Sequence, residues 1–468
     1  MSRIVTGSDF PDLTAVNDLA TYRAPGAPAP RSFGARGWEL PSIYDYGVIA
    51  DGVTDNTAAI NAAWASLAAA GRIPLLGVPP SAGQIRVAGA LNPPAGAGLV
   101  GLFGRPVIYM SGTNQITISN PGFILSGLTL LGDHATTNYK LILASTAARF
   151  SDLTLSNWNS GVDVTGNRND LVGIELINVR GAGLRIRGGR YNTLERIEGV
   201  NVTNFLTYLS EGAAFNNVHQ PRKRVDFATL TAWQHANYAS DIGKGRFGLE
   251  CVGITFDCYR NSVFDYYAEY TGDAGFSCSG YENTIAGGRV IECEGNALTF
   301  IGSRNSAANI VSIGNKRGIA AIPTAGGLAK DNVIVGCVGI NNWYAGFSNE
   351  LSQIREWVAG GGTEAASSYC RYGLNNYQTE DKVAVNNFGT IAPVHTSGLA
   401  SDGLNSWRWV SSDPATLHAD RNRFIGCVGI GGGGGRTVGS VVETGKGTDF
   451  YIEPGSGLLT RFYASSNE

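Results

Sequence analysis

Charge is scarce in this 468-residue sequence: charged residues make up 16% of it, and the formal net charge at neutral pH is -3. A nucleic-acid surface needs clustered cations, and the one compact basic run, Arg222-Lys223-Arg224, reads as a solvated loop, so no nucleic-acid partner is expected. Methionine is nearly absent, at 2 residues. No run approaches the roughly 18 apolar residues of a membrane span, so no membrane insertion is expected. Met1-Ser2-Arg3 leads into mixed polar sequence rather than the apolar segment of a secretion signal. Cysteine numbers 7, an odd count that leaves at least one thiol unpaired within the chain. No Cys-x-x-Cys or paired Cys/His spacing occurs, so neither a metal nor another cofactor is expected. Cys251, Cys258, Cys278, Cys293, Cys337 and Cys427 lie inside strand-like runs, where a free thiol behaves as a small buried hydrophobe in a chain made in a reducing cytoplasm.

What is present is glycine, 64 residues or about twice its usual share, with abundant Asn, Ser, Thr, Val and Ile. That mixture suits a chain that turns often and pairs strands, and suits a helical bundle or a disordered chain poorly. The length allows two or three compact domains or one elongated repeat. From about residue 111 the sequence becomes short alternating apolar runs, among them Gly122 to Leu131, Phe150 to Ser156, Val172 to Val179 and Tyr191 to Ile197. Each has the two-residue period of a strand with one buried face.

An Asn recurs before an apolar pair, at Asn192, Asn217, Asn261, Asn283, Asn309, Asn332 and Asn422, mostly at steps of about two dozen residues, a period that marks a solenoid. Gly336-Cys-Val-Gly-Ile340 returns as Gly426-Cys-Val-Gly-Ile430. Because the unit is strand, turn, strand, the solenoid expected is a β-helix whose asparagines stack as a turn ladder, with a large sandwich or barrel as the alternative. The organisation expected is an N-terminal helix and Pro-rich arm over 1–40, an opening motif and capping helix over 41–110, coils over 111–430, and short C-terminal strands over 431–468. Insertions near 218–250 and 343–382 break the rhythm. Gly431 to Gly435 reads as a flexible break.

The stretch Tyr44 to Ile60 organises the rest. Asp51-Gly52 supplies turn chemistry, and Thr54 or Asp55 is placed to cap a helix carrying Ile60, Trp64 and Leu67 on one face. Asp45-Tyr46-Gly47, then Asp51-Gly52-x-Thr54-Asp55-Asn56-Thr57 and Ile60, an Ala-rich helix and Val78-Pro79-Pro80 resemble the first-coil motif of the pectate-lyase-like superfamily of right-handed parallel β-helices. Its usual form is Asp-Phe-Gly-Ala, Gly-Asp-Gly-x-Thr-Asp-Asp-Thr and Ala-Ile, from which Tyr46, Ala50 and Asn56 depart. The resemblance implies an all-β fold, a right-handed parallel β-helix (solenoid) with an N-terminal capping helix, in which Asp51 and Asp55 are turn and cap residues.

Within that superfamily, Leu19 to Arg23, the missing secretion signal and the Asn/Gly-rich coils resemble bacteriophage tailspike proteins. This implies a homotrimer in the virion tail, assembled in the host cytoplasm, joined to the phage tail or baseplate through its N-terminal arm, and cleaving a bacterial surface polysaccharide at the cell surface.

Glycoside hydrolysis needs two carboxyl groups, one protonated and one ionised, which outward positions on neighbouring coils can supply. Aligning Gly272-Asp273-Ala274 with Gly295-Asn296-Ala297 stacks Glu269 over Glu292, the first candidates, with Asp265 and Glu294 as alternates. Asp257, Trp233, His235, Trp343, Tyr344 and Trp357 are candidates for holding the glycan, aromatic rings being what sugar faces stack on. Asp163, Asp170, Glu175, Glu195, Glu198 and Glu211 are less regularly spaced, His219 could assist as acid or base, and Arg222 and Arg224 could hold an acidic sugar. A polysaccharide lyase acting by β-elimination and a non-catalytic glycan-binding adhesin are the alternatives.

Overall fold

The computed structural model describes residues 40–81, 83–112, 116–134, 139–322, 329–349 and 421–438, with the strands Thr21–Tyr22, Arg31–Ser32, Gln353–Val358, Ser367–Tyr372, Ser406–Val410, Val441–Glu443, Phe450–Ile452 and Arg461–Tyr463. The chain divides into two compact units, Met1–Val179 and Arg180–Glu468. Each is wound from parallel strands in the manner of the expected right-handed β-helix. Of the N-terminal arm, Thr21–Tyr22 pairs antiparallel with Arg31–Ser32 where a short helix was expected. The remainder of the arm lies outside the described residues.

In the first unit the opening motif closes the end of the coil. The Asp51 carboxylate accepts from the amides of Val53 at 2.8 Å and Thr54 at 2.7 Å, making a tight turn. Asp55 accepts from the amides of Thr57 at 3.1 Å and Ala88 at 2.9 Å, which caps the helix Thr57–Ala69 and ties it to the next strand. Thr54 does not cap: its hydroxyl donates to Asp51. That helix buries Ile60, Ala63, Trp64 and Leu67. The Trp64 indole donates to the Gly98 carbonyl at 3.2 Å and meets the Phe123 ring edge-on, sealing the apolar interior behind it. Both aspartates are consumed by backbone donors, so their role is structural.

The second unit stacks the strands Thr193–Val200, Asn217–His219 with Arg222–Arg224, Ser262–Glu269, Thr284–Ile291 and Ser306–Ile313 in one parallel sheet. A second sheet runs Leu184–Arg187, Thr207–Ser210, Val252–Ile254, Phe276–Cys278, Asn296–Phe300, Arg317–Ala321 and Ala345–Asn349. The asparagine ladder stands at the corner entering the first sheet: Asn192, Asn216, Asn261, Asn283, Asn305, Asn332 and Asn422 are all buried, and each side-chain amide donates to the next asparagine's oxygen. Two members differ from the expectation. Asn217 is an exposed neighbour of Asn216, and Asn309 is an exposed left-handed kink downstream of Asn305. The stack works because each amide leaves no donor or acceptor unpaired in a dry corner.

The described cysteines Cys251, Cys258, Cys278, Cys293, Cys337 and Cys427 are free and buried, as expected. Arg222-Lys223-Arg224 is a strand and not a solvated loop. Alternation along it buries Lys223 completely while Arg222 and Arg224 face outward. The first insertion therefore begins after Arg224, and it carries the helices Ala232–Asn237 and Ala239–Gly243. Trp343 and Tyr344 lead directly into the coil strand Ala345–Asn349, and the chain returns to the coils at Arg423, which pairs with Val333. The glycine run is not a break either: Gly433 donates to Asn342 at 2.9 Å and Gly435 to Trp343 at 2.7 Å, so it lies on the preceding coil.

Candidate functional site at a coil corner

The strand Ser262–Glu269 leaves the first sheet at Tyr270, and Thr284–Ile291 leaves at Glu292; both corner residues take left-handed backbone, with φ of 54° and 55°. In the ladder Glu269 faces Ile291. Glu292 therefore lies opposite Tyr270, and the expected stacking of Glu269 on Glu292 does not occur. The glycines used for alignment are one residue further apart than the 22-residue step of the coils, so the alignment slipped by one. A one-residue slip changes the face of every side chain.

The corner still gathers three of the predicted carboxylates. Glu269 accepts a hydrogen bond from the Tyr267 hydroxyl at 2.6 Å. Glu292 accepts from Arg246 at 2.9 Å, and the Arg246 guanidinium lies over the Tyr270 ring. Glu294 accepts from Arg436 at 2.6 Å, and Arg436 in turn stacks on Trp343, 4.3 Å from the ring centroid. Lys316 lies over both Trp343 and Tyr344, and the buried Arg317 stacks on Tyr344 at 4.0 Å while donating to Asn296. Two donors here, Arg246 Nε and Trp343 Nε1, are buried without a partner. Native proteins rarely leave such groups unpaired, and functional sites are one place where they do.

A fourth carboxyl comes from the first insertion. Asp241 lies on the short helix Ala239–Gly243, half-buried, and its Oδ2 would be 3.3 Å from a Cβ on Gly272, which sets it against the corner. Burial pushes its pKa up; Lys244 opposes this and the nearby charge of Glu294 adds to it. Like charges close together favour the protonated form of one of them. Nothing in the sequence singled out Asp241, Arg246 or Arg436 as members of one cluster.

The insertion is held from beneath. Lys223 Nζ donates to the carbonyls of Asn204 and Leu249, both at 2.6 Å, and burial lowers its pKa to about 8. Gln234, fully buried, closes a capping box with Thr231 and donates to Asn201 at 2.8 Å. Near Lys223, Glu250 is buried and accepts from Ser277 at 2.7 Å; burial raises its pKa.

The other predicted residues lie elsewhere. Asp257 is exposed in the turn before Ser262–Glu269, at the opposite end of that strand from the glutamates. Asp265 is an exposed left-handed kink within the strand, its carboxylate against Gly287. Asp152 over Gly173 and Asn309 over Gly336 repeat that arrangement, which marks it as a feature of the coil. Trp233 is half-buried under Arg180, whose guanidinium is 4.7 Å from the ring centroid, and His235 is exposed on the same helix. The side chain of Trp357 lies outside the described residues. Among the described residues, no group of three or more His, Cys, Asp or Glu is arranged to hold a metal ion, and no helix is long and apolar enough to cross a membrane.

No protein-family profile matches the chain, and no curated protein matches it. Solved structures do. The catalytic domain of a GH87 alpha-1,3-glucanase in complex with nigerose is similar over 90% of this chain and 68% of its own, at 8% identity and a TM-score of 0.53. The Dettilon tailspike protein is similar over 66% of this chain and 56% of its own, at 14% identity and a TM-score of 0.41. The pre-mature bacteriophage phi29 gene product 12 is similar over 66% of this chain and 50% of its own, at 14% identity and a TM-score of 0.40. The first of these likenesses is one of fold, and it agrees with the parallel β-helix that the strand register shows for this chain.

Proposed function

We propose that this protein is a glycoside hydrolase that cleaves a bacterial surface polysaccharide at the corner formed by Tyr270 and Glu292. The observation that carries the reading is the unlike setting of two carboxyls: Asp241, whose pKa is raised by burial and by the adjacent Glu294, and Glu294, which accepts a hydrogen bond from Arg436. A protonated acid beside an ionised carboxylate is what glycosidic hydrolysis requires. In this reading Asp241 protonates the leaving oxygen, and Glu294 serves as the base or nucleophile. Glu292 and Glu269 hold sugar hydroxyls, and Trp343 and Tyr344 carry the ring faces.

The setting we propose is that of a tailspike: a homotrimer in a phage virion tail, attached through the N-terminal arm and assembled in the host cytoplasm. The layout resemblance supports it. Elimination through Tyr267, the half-buried phenol beside Glu269, fits less well, because burial and its bond to Glu269 push it up to about 12, which makes it a poor base at neutral pH.

The test is digestion of a panel of bacterial polysaccharides. New reducing ends without an unsaturated product support hydrolysis; an unsaturated product supports the lyase, and binding with neither supports an adhesin. Asp241→Asn should lower the rate by about 10²–10⁴; a variant as active as wild type removes Asp241 from the chemistry.

A further inference from the structure

On the outward face of the first sheet, one column is built differently from its neighbours. The ladder places Arg222 opposite Tyr267 and Tyr267 opposite Arg289. Adjacent strands are about 4.8 Å apart, so the two arginines stand roughly 10 Å apart on either side of the phenol. Both are exposed. Among the described residues neither has an ion pair, although most exposed arginines around them do. Arg224 pairs with Glu198, Arg260 and Arg304 share Glu282, and Arg421 pairs with Asp331. Glu198, which the ladder sets opposite Arg222, gives its carboxylate to Arg224 instead. The column has definite ends. Beyond Arg289 it continues as Val311 and Val338, and before Arg222 it meets Glu198.

We infer that Arg222, Tyr267 and Arg289 form a subsite for an anionic sugar substituent, so that the polysaccharide this protein takes is acidic. The inference rests on the glycan reading above and adds the substrate class. The Tyr267 hydroxyl is committed as a donor to Glu269, which fixes the ring as a stacking platform between two guanidiniums. Guanidinium forks match carboxylates in geometry and charge. Two residues further along the strand come Glu269 and the corner, a step of about 7 Å, so a glycan seated here reaches the carboxyl pair. The cationic stretch spans two arginines in a chain of net charge -3, which suits one anionic group per repeat and not a phosphate backbone.

The experiment measures binding by the full chain to polygalacturonate and hyaluronan, to their carboxyl-reduced forms, to dextran and to duplex DNA. At least one acidic polymer should bind, its carboxyl-reduced form at least tenfold more weakly, and binding should fall with added salt. Arg222→Gln and Arg289→Gln should each weaken binding about tenfold, the loss of one charge-assisted hydrogen bond. Their melting temperatures should not move, since both side chains are exposed. Equal binding of a carboxyl-reduced polymer, wild-type affinity in both arginine variants, no binding to either acidic polymer, or tighter binding to duplex DNA overturns the inference. A protein that binds acidic polymer through these arginines and releases no reducing ends overturns the hydrolase reading and leaves the subsite standing.

Discussion

At the corner where each strand of the first sheet of the second unit begins, one asparagine per coil is buried and bonded to the next, from Asn192 to Asn422. At the corner where Ser262–Glu269 and Thr284–Ile291 end, Tyr270 sits opposite Glu292, Glu294 is bonded to an arginine 142 residues further on, and an insertion brings Asp241 alongside. The first corner pairs its polar groups by repeating itself, and the second pairs its carboxylates by assembling residues that occur once. Stability lives in repetition here, and the proposed chemistry in its interruption. That is why the carboxyls of the second corner carry shifted or paired charges while the amides of the first carry none.

Alkaline pH should act on both corners at once and most strongly. Burial raises the thiol of Cys258, on the entering side, to about 11 and that of Cys293, on the leaving side, to about 11, while Cys251 reaches about 12. An acid whose folded pKa is raised contributes stability that is whole below its unfolded value and is lost as pH climbs toward the folded one. Unfolding free energy should therefore fall from about pH 9 upward, by on the order of 2 kcal/mol for each fully buried thiol. Lys223 works in the other direction between about 8 and its unfolded value, because its folded pKa is depressed and the unfolded chain binds the extra proton. Urea titrations at stepped pH read the sum, and Cys293→Ala should flatten the decline.

Asn283→Ala separates the corners. It removes the acceptor of the Asn261 backbone and side-chain amides in a dry corner, while the Asn305 oxygen keeps the residue 283 backbone amide, and should cost about 3 kcal/mol of stability, leaving the cleavage rate of the folded fraction unchanged. A comparable loss of kcat at full folding would show that the two corners are not separate.

Asp241→Asn should do the reverse. A carboxyl with a raised folded pKa is unfavourable once ionised, so its contribution is present below its unfolded value and lost as pH rises through the folded one. At neutral pH the amide should melt slightly higher than wild type while cleaving far more slowly, the trade expected of a strained functional group. Calorimetry beside a reducing-end assay checks both signs. Smallest of all, Glu282→Gln, on the entering side and shared by Arg260 and Arg304, should leave the melting temperature almost unchanged, as exposed pairs do.

Those differences also mark what could be read from the chain. The opening motif, the parallel β-helix, the buried thiols and most of the asparagine ladder were legible because repetition writes the same physical demand many times. Where it was misread, at Asn217 for Asn216 and Asn309 for Asn305, two asparagines stood close together, and only strand register separates the buried from the exposed one. Lys223 was hidden inside a basic run that looks solvated, although period-two alternation implies an inward middle residue. The leaving corner was harder. Glu292, Glu294, Trp343 and Tyr344 were named, yet stacking Glu269 on Glu292 failed by one residue. Asp241 and Arg436 carry no local signature, since their place depends on where an insertion folds back and how a distant coil closes.

The most direct measurement is the release of reducing ends by Glu294→Gln and Asn283→Ala, each compared with wild type per folded molecule on the polysaccharide that wild type cleaves. Glu294→Gln should lose at least 100-fold at an unchanged melting temperature, in the range of roughly 10²–10⁴ for an acid/base group. Asn283→Ala should lose melting temperature alone. Wild-type cleavage by Glu294→Gln would contradict the assignment of chemistry to this corner.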